Sequence, residues 1–150
     1  MERRYHAIIQ EPWVDHMVEL IGKQEKSGFF RWHDAGDIQD ISHLLKICAV
    51  ASQLPKIKFW LPTREVGILI KFKAKGHVFP RNLIVRLSDV FVDDRKNSAQ
   101  TNRIAKRLGV KTSGVSVNKS NCPAPDQGGI CGDCRRCWDK SVARVNYKKH

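Results

Sequence analysis

Residues 57–76 read IKFWLPTREVGILIKFKAKG, and this stretch contains the unit that decides the fold. The apolar run Ile57–Leu61 is typical of a buried strand. Thr63 can cap a following helix, because its hydroxyl can accept a hydrogen bond from a main-chain N–H of the first turn. Gly76 is placed to end that helix. The stretch therefore predicts one strand followed directly by one helix.

The same alternation recurs on both sides of this unit. The other predicted elements are a helix over 12–26, a strand over 29–33, a helix that begins after Asp37 or Asp40, a strand over 83–87, a helix over 98–108 and a strand over 110–117. Strand starts recur roughly every 27 residues. This pattern predicts an α/β fold of about four βα units, either a partial (β/α) barrel or a small open parallel sheet.

The length and composition of the chain limit its organisation. With 150 residues and a hydrophobic fraction of 41%, the chain can bury a core and is not disordered throughout. We expect an α/β core over residues 1–118 and a cysteine-rich, basic C-terminal module over 119–150. No apolar run reaches the length of a membrane span, and the polar start is no signal peptide. We therefore expect a cytoplasmic protein with no membrane partner.

Four of the five cysteines fall in the C-terminal module, at Cys122, Cys131, Cys134 and Cys137. Thiolates two residues apart on a loop can converge on one metal centre. We favour a [4Fe–4S] cluster, because its four irons suit a Cys-x2-Cys-x2-Cys run with a remote fourth cysteine. Zn²⁺ is nearly as well supported, and free or disulfide-bonded thiols are the third interpretation. Cys48 lies on the apolar face of a predicted helix and is interpreted as a core residue.

The charge of the chain indicates a polyanionic partner. The formal net charge is +12, and from Arg95 to Lys119 there are seven basic residues and no acid. The C-terminal tail adds further basic candidates for nucleic-acid binding: Arg135, Arg136, Lys140, Arg144, Lys148 and Lys149. Trp138 and Tyr147 are interleaved with them, and basic and aromatic side chains together are typical of single-strand binding. The alternatives are a solvated basic surface and, for Trp138, packing over the metal site.

A second group of polar residues follows the predicted strands. His33, Asp34 and Asp37 come after the first strand, and Arg64 comes after the second. Parallel sheets carry function at the carboxyl ends of their strands, so these four residues are candidate catalytic residues. His33, Asp34 and Asp37 could alternatively hold a second metal, and Arg64 could bind a carboxylate or phosphate. The structural alternatives are that Asp37 caps a helix and that Arg64 pairs with one of the aspartates.

Three stretches resemble the phage "gene product 88" family. They are Phe30–Asp37, Lys58–Arg64 and Asn121–Asp139, and the similarity runs from about Phe29 to the C-terminus. Longer members of that family look like relatives of radical S-adenosylmethionine barrels, with further cysteines in an N-terminal segment. Residues 1–28 of this chain contain no cysteine, so the resemblance implies a barrel-like α/β fold here rather than radical chemistry.

These observations lead to three functional hypotheses. The first is a phage or mobile-element accessory protein, acting in the cytoplasm of the host cell. Its four-cysteine site would be structural, and it would bind nucleic acid or a host nucleoprotein complex, for example as an inhibitor of a host defence nuclease. The second is a metal-dependent enzyme acting on nucleic acid with the strand-end His/Asp site. The third is an iron–sulfur redox or sensor protein.

Overall fold

Strands and helices alternate along the chain in the computed structural model, which describes residues 2–33 and 35–149. The helices are α1 (Glu2–Ile9), α2 (Trp13–Gln24), α3 (Ile41–Gln53), α4 (Val66–Ala74) and α5 (Arg95–Leu108), with short 3₁₀ helices at Ala124–Gln127 and Arg136–Trp138. The strands are β1 (Phe29–Arg31), β2 (Lys58–Thr63), β3 (Leu83–Ser88), β4 (Lys111–Ser116) and β5 (Arg144–Lys148). No helix in 2–33 or 35–149 combines the length and the apolar character needed to cross a bilayer.

The five strands form one sheet in the order β1-β2-β3-β4-β5. The β1–β2, β3–β4 and β4–β5 pairs are parallel, with Phe29 opposite Lys58 and Arg86 opposite Lys111. Neighbours in the sheet are therefore neighbours in sequence, as in successive βα units. The α/β fold with a parallel sheet is confirmed. It has one strand more than the sequence predicts, since β5 lies within the predicted C-terminal module.

The chain divides into two compact units, and the first comprises Met1–Trp60 and Glu65–Leu83. Its core is aliphatic and aromatic, with Leu44, Ile47, Val50, Ala51, Phe59, Leu69 and Phe72 almost fully buried. Asn82 ties the end of α3 to the residue that precedes β2, because its Nδ2 donates to the main-chain oxygens of Ala51, Leu54 and Ile57 at 2.8–3.0 Å.

Of the two helix caps predicted in this region, the one before α3 is confirmed and the one at Thr63 is wrong. Of the two aspartates considered, Asp40 caps α3, since its carboxylate accepts a hydrogen bond from the N–H of His43 at 2.8 Å. Thr63 is instead the buried last residue of β2, and the next helix, α4, begins at Val66. Strand β2 thus extends two residues beyond the predicted end at Leu61.

The second unit comprises Leu61–Arg64 and Ile84–His150. Helix α5 begins one turn earlier than predicted, at Arg95, and Asp94 caps it by accepting from the N–H of Asn97 at 3.0 Å. The first turn carries no apolar residue, so hydrophobic periodicity could not reveal it. Residues 117–143, which contain the four cysteines, connect the parallel strands β4 and β5 in the position that a helix occupies between the earlier strands.

Candidate metal centre and its surroundings

All four predicted cysteine ligands line one pocket. Cys122, Cys131, Cys134 and Cys137 share its wall with Pro123, Ala124, Arg136 and Val145. All four are free thiols, so no disulfide competes for them. The structure therefore brings together the four cysteines that the spacing selects, and it keeps Cys48 apart from them as a buried residue of α3.

Local turns and strand β5 position these cysteines. The N–H of Cys134 donates to the oxygen of Cys131 at 2.9 Å, which closes a tight turn around Gly132. The N–H of Cys122 donates to the oxygen of Asn146 on β5 at 3.2 Å, which anchors the remote cysteine to the sheet. Between them the chain reverses at Gly128 and Gly129, whose positive φ values of 66° and 82° favour glycine.

The fully buried guanidinium of Arg86, on β3, organises the main chain around Cys137. All five of its N–H donors point at carbonyl oxygens. Nε donates to Cys137 at 3.0 Å, Nη1 to Thr112 at 3.3 Å and Val142 at 3.0 Å, and Nη2 to Arg136 at 2.8 Å and Asp139 at 2.9 Å. Four of these five residues belong to the segment that connects β4 to β5, so one side chain of the sheet fixes the path of the cysteine module.

Sequence reasoning did not select Arg86. A single arginine inside the otherwise apolar run Leu83–Leu87 is the signal that could have found it, because a charged residue in a buried strand needs compensating partners. Burial lowers the pKa of this guanidinium, and the nearby Cys137, Tyr147 and Asp139 act in the opposite direction. Arg86 thus contributes a positive charge beside a group of thiols.

The environment of Cys137 bears on its ability to act as a ligand. Burial raises the pKa of this thiol, whereas the hydrogen bond with Tyr147 and the charge of Arg86 oppose the rise. The Cys137 Sγ and Tyr147 Oη atoms are 3.4 Å apart. Burial also raises the pKa of Tyr147, so the phenol is neutral and able to donate to the sulfur.

The donor set of the pocket determines which groups it suits. No histidine or carboxylate lines it, and four thiols are the ligands of zinc and iron–sulfur centres rather than of Mg²⁺ or Ca²⁺. Within 2–33 and 35–149, no three His, Cys, Asp or Glu side chains are grouped closely enough to hold a metal ion. The residue types thus fit either proposed metal centre, but their spacing does not. The sulfur atoms would have to move closer together to coordinate a metal ion.

Two of the basic tail residues are engaged in structural contacts. Arg144 pairs with the buried carboxylate of Asp89 at 2.5 Å, and this pair lies against Gly114, where an added Cβ would overlap with the guanidinium. Arg135 donates to the main-chain oxygens of Gly132 and Cys134, at 2.5 and 2.9 Å, and so braces the cysteine loop. Both arginines have a structural role in addition to any role toward a ligand.

The other four basic tail residues are exposed. Arg136 donates to the oxygen of Asn121 at 3.4 Å, and Lys148 lies 3.7 Å from the carboxylate of Asp126. Lys140 and Lys149 project from the same unit. These four side chains remain accessible to a polyanion.

Two members of the candidate catalytic group at the strand ends, His33 and Asp37, lie close enough to interact electrostatically. His33 follows β1, and its ring lies 5.5 Å from that of His43 on α3. Asp37 raises the pKa of His33, but burial outweighs this effect and lowers the pKa overall. Asp37 also accepts from the N–H of Ile38 at 2.7 Å. Asp34 lies outside the described residues, and Arg64 belongs to the second compact unit.

His33 has an unusual backbone conformation. Its φ is 59°, in the left-handed region that non-glycine residues seldom adopt. Its Nε2 is buried and has no hydrogen-bond partner among residues 2–33 and 35–149. Strain and an unsatisfied buried nitrogen are both costly to the fold, and such features concentrate at functional sites.

One comparison with known proteins gives a match. The model of a family described as "Gene product 88" matches residues 1–140. The matched region includes strands β1 to β4, Arg86 and all four cysteines of the pocket. No curated protein and no solved structure matches the chain.

Proposed function

The chain belongs to the gene product 88 family of phage proteins, and we propose that it is an accessory protein that binds nucleic acid or a host nucleoprotein complex and is stabilised by a four-cysteine metal site. The observation that carries this proposal is the single pocket lined by all four cysteines, on a segment that Arg86 holds through five main-chain hydrogen bonds. The proposed setting is the cytoplasm of the host cell, where inhibition of a defence nuclease would suit a small basic protein.

The position of the pocket supports a structural role for the metal. Cys122, Cys131, Cys134 and Cys137 would hold a [4Fe–4S] cluster or Zn²⁺, which would cross-link a segment with little hydrophobic core of its own. Between Lys119 and Asp139 only Cys137 is buried. A set of four thiolates leaves no open coordination position, which favours a structural over a catalytic centre.

Binding of a polyanion is supported by the charge of the chain. The net charge of +12 attracts phosphates and releases their counterions, so affinity should fall as salt concentration rises. The exposed side chains of Arg136, Lys140 and Lys149 lie on the same unit as the pocket. A metal that orders this segment would therefore also order part of the basic surface.

Elemental analysis of anaerobically purified protein tests the metal site. We expect either about four iron atoms per chain with absorbance near ~400 nm, or about one zinc ion. The Cys134→Ser variant should lose most of the metal. The Cys48→Ala variant, which removes a thiol outside the pocket, should retain it. A metal-free wild-type protein, or equal metal content in the two variants, would refute the site.

An iron–sulfur redox or sensor role is the alternative that the same preparation addresses. If iron is present, oxidation of the cluster should change nucleic-acid affinity in a sensor and leave it unchanged in a purely structural site. A zinc-containing protein would eliminate the sensor role.

An enzyme acting on nucleic acid is a second candidate function, and the conformation of His33 favours it. A neutral imidazole with a free buried nitrogen, close to Asp37, is able to accept a proton. His33→Ala should abolish any divalent-metal-dependent hydrolysis of DNA or RNA by the purified protein. Full activity in that variant, with activity also retained in Asp37→Asn, would eliminate this function.

A further inference from the structure

Helix α5 carries five basic residues along its exposed face. We define the α5 stripe as Arg95, Lys96, Arg103, Lys106 and Arg107, all of which are exposed. At 100° per residue these five positions fall within an arc of roughly 120°, and the stripe is about 18 Å long. The opposite face, with Thr101, Ala105 and Leu108, is buried. The helical periodicity therefore places the basic side chains on one face and the buried side chains on the other.

The side chains of the α5 stripe form no ion pairs within the described part of the chain, although Asp93 and Asp94 directly precede the helix. Helix α5 contains no acidic residue, and none follows it before residue 119. None of the five side chains forms an ion pair with an acid among residues 2–33 and 35–149. Five like charges on one helix face repel each other, and a polyanion would relieve that repulsion.

The loop that leads into α5 exposes three consecutive apolar side chains. Val90, Phe91 and Val92 are 53%, 61% and 43% exposed. An exposed run of this kind, next to a charged surface, is typical of a binding site rather than of a solvated loop. Phe91 is an aromatic ring available for stacking, four residues before the first basic residue of the stripe.

Hydrogen bonds fix this loop to both neighbouring elements. The N–H of Val90 donates to the Oδ1 of Asn97 on α5 at 3.1 Å. The carboxylate of Asp93 accepts from the N–H of Val117 at 2.8 Å, and the N–H of Asp93 donates to the oxygen of Val115 on β4 at 3.3 Å. The loop is thus ordered, and its apolar side chains are exposed on a defined framework.

We infer that the α5 stripe and Phe91 form a binding surface for single-stranded nucleic acid. The basic side chains would bind the phosphates, and the ring of Phe91 would stack on a base. A single strand is favoured over a duplex because an unpaired base offers an open face to an aromatic ring, whereas a duplex hides its bases in the stack. This inference rests on the proposed nucleic-acid binding and assigns it to α5 rather than to the C-terminal tail.

Charge reversal on α5 tests the basic half of this surface. We would measure the fluorescence anisotropy of a labelled single-stranded DNA of about 20 nucleotides between roughly 50 and 200 mM salt. Arg103→Glu with Arg107→Glu should weaken binding about tenfold or more and reduce the salt slope. The matched control is Lys71→Glu with Lys75→Glu, the same change in charge at the same spacing near α4. It should change affinity far less.

Removal of the aromatic ring tests the stacking half. Phe91→Ala should weaken single-strand binding by roughly five- to a hundredfold and leave binding to a duplex of the same length unchanged. Val78→Ala, which truncates a side chain that is 78% exposed in the first unit, is the matched control and should have no effect. Equal binding by Phe91→Ala and wild type, or equal losses for single strand and duplex, would overturn the stacking role.

The outcomes separate this inference from the proposed function. A wild-type protein that binds neither DNA nor RNA refutes both. Salt-dependent binding that survives the α5 double variant but is lost in Arg136→Glu with Lys140→Glu supports the proposed function and refutes the α5 surface. Loss of binding in the α5 double variant alone, with a circular dichroism spectrum like that of the wild type, supports both the proposed function and the α5 surface.

Discussion

The Nε of Arg86 donates to the main-chain oxygen of Cys137 at 3.0 Å and thereby joins strand β3 to the last cysteine of the pocket. The bond matters because it is one of five from a single buried side chain. The oxygens of Cys137 and Thr112 that accept from Arg86 are buried, and a buried acceptor needs a partner. The guanidinium of Arg86 on β3 consequently holds the cysteine module to the sheet without the help of a metal.

Replacement of Arg86 by lysine should destabilise the protein strongly. An ammonium has three donors and cannot reproduce the planar fork, so several buried carbonyls would lose their partner. We expect a loss of roughly 3 to 5 kcal/mol in the free energy of unfolding, measured by urea denaturation. Arg81→Lys, at an exposed position, is the control and should change stability by less than about 0.5 kcal/mol. Similar denaturation midpoints for both variants would contradict the structural role of Arg86.

Gly114→Ala and Gly67→Ala should have opposite effects on stability. An added Cβ at Gly114 would overlap with the guanidinium of Arg144, which is held in place by Asp89. We expect Gly114→Ala to lower the free energy of unfolding by about 1 to 3 kcal/mol. Gly67 lies in α4 with open space around it, so alanine there should stabilise the protein by roughly 0.5 to 1 kcal/mol. Thermal melts of the two variants check both signs.

Stability should fall on mild acidification, because His43 is buried in its neutral form. Burial and the charge of His33 lower the pKa of His43 to about 4, and Asp40, Asp37 and Lys46 have smaller effects. The unfolded chain takes up a proton near the ordinary value of about 6.5, so it gains protons first as pH falls. Stability contributed by the neutral ring is thus fully present above about pH 6.5 and is lost as pH falls toward 4.

The size of this loss can be measured with one variant. The shift corresponds to roughly 3 to 4 kcal/mol. His43→Gln retains an acceptor for the N–H of Gln39 and should flatten the dependence of unfolding free energy between about pH 7 and 4. His33, whose pKa is also lowered, adds a further loss of stability as pH falls. An unchanged slope in His43→Gln would show that other groups control the acid response.

Removal of the proposed metal should lower the melting temperature of the wild-type protein. Saturation of a site at about a hundred times its dissociation constant contributes ~2.7 kcal/mol, which is roughly 5 to 10 °C for a chain of this size. A strong chelator should lower the melting temperature of the wild-type protein by that amount. Cys134→Ser should melt at the lower temperature with and without chelator. If the chelator has no effect on the wild type while metal analysis shows the ion to be gone, the site is not structural.

The sequence predicts the elements that follow hydrophobic periodicity and misses those that depend on polar contacts. The strands at Phe29 and Leu83 and the gathering of four cysteines follow from local pattern and spacing. Strand β5 was missed because Arg144–Lys148 contains only two nonpolar or aromatic positions, Val145 and Tyr147, and no helix precedes it. Its place in the sheet depends on pairing with β4, which is a long-range contact.

Two further features that the sequence leaves open have the same physical origin. Asp37 and Asp40 are equally good caps by residue type, and only the geometry of the chain before α3 selects Asp40. In the sequence Arg86 only interrupts an apolar strand, and the carbonyl oxygens that bind its side chain come from residues distant along the chain. In both cases the deciding partner is a main-chain group whose position the sequence does not encode locally.

The connection between β4 and β5 has a consequence for solubility. Until residues 117–143 are folded, β5 cannot pair with β4, and the main-chain N–H and C=O groups on that side of β4 remain open. An open edge of this kind invites pairing with another chain, which leads to aggregation. If the cysteine pocket orders this connection, metal supply during synthesis would decide how much of the protein accumulates in soluble form and how much aggregates through an unprotected strand.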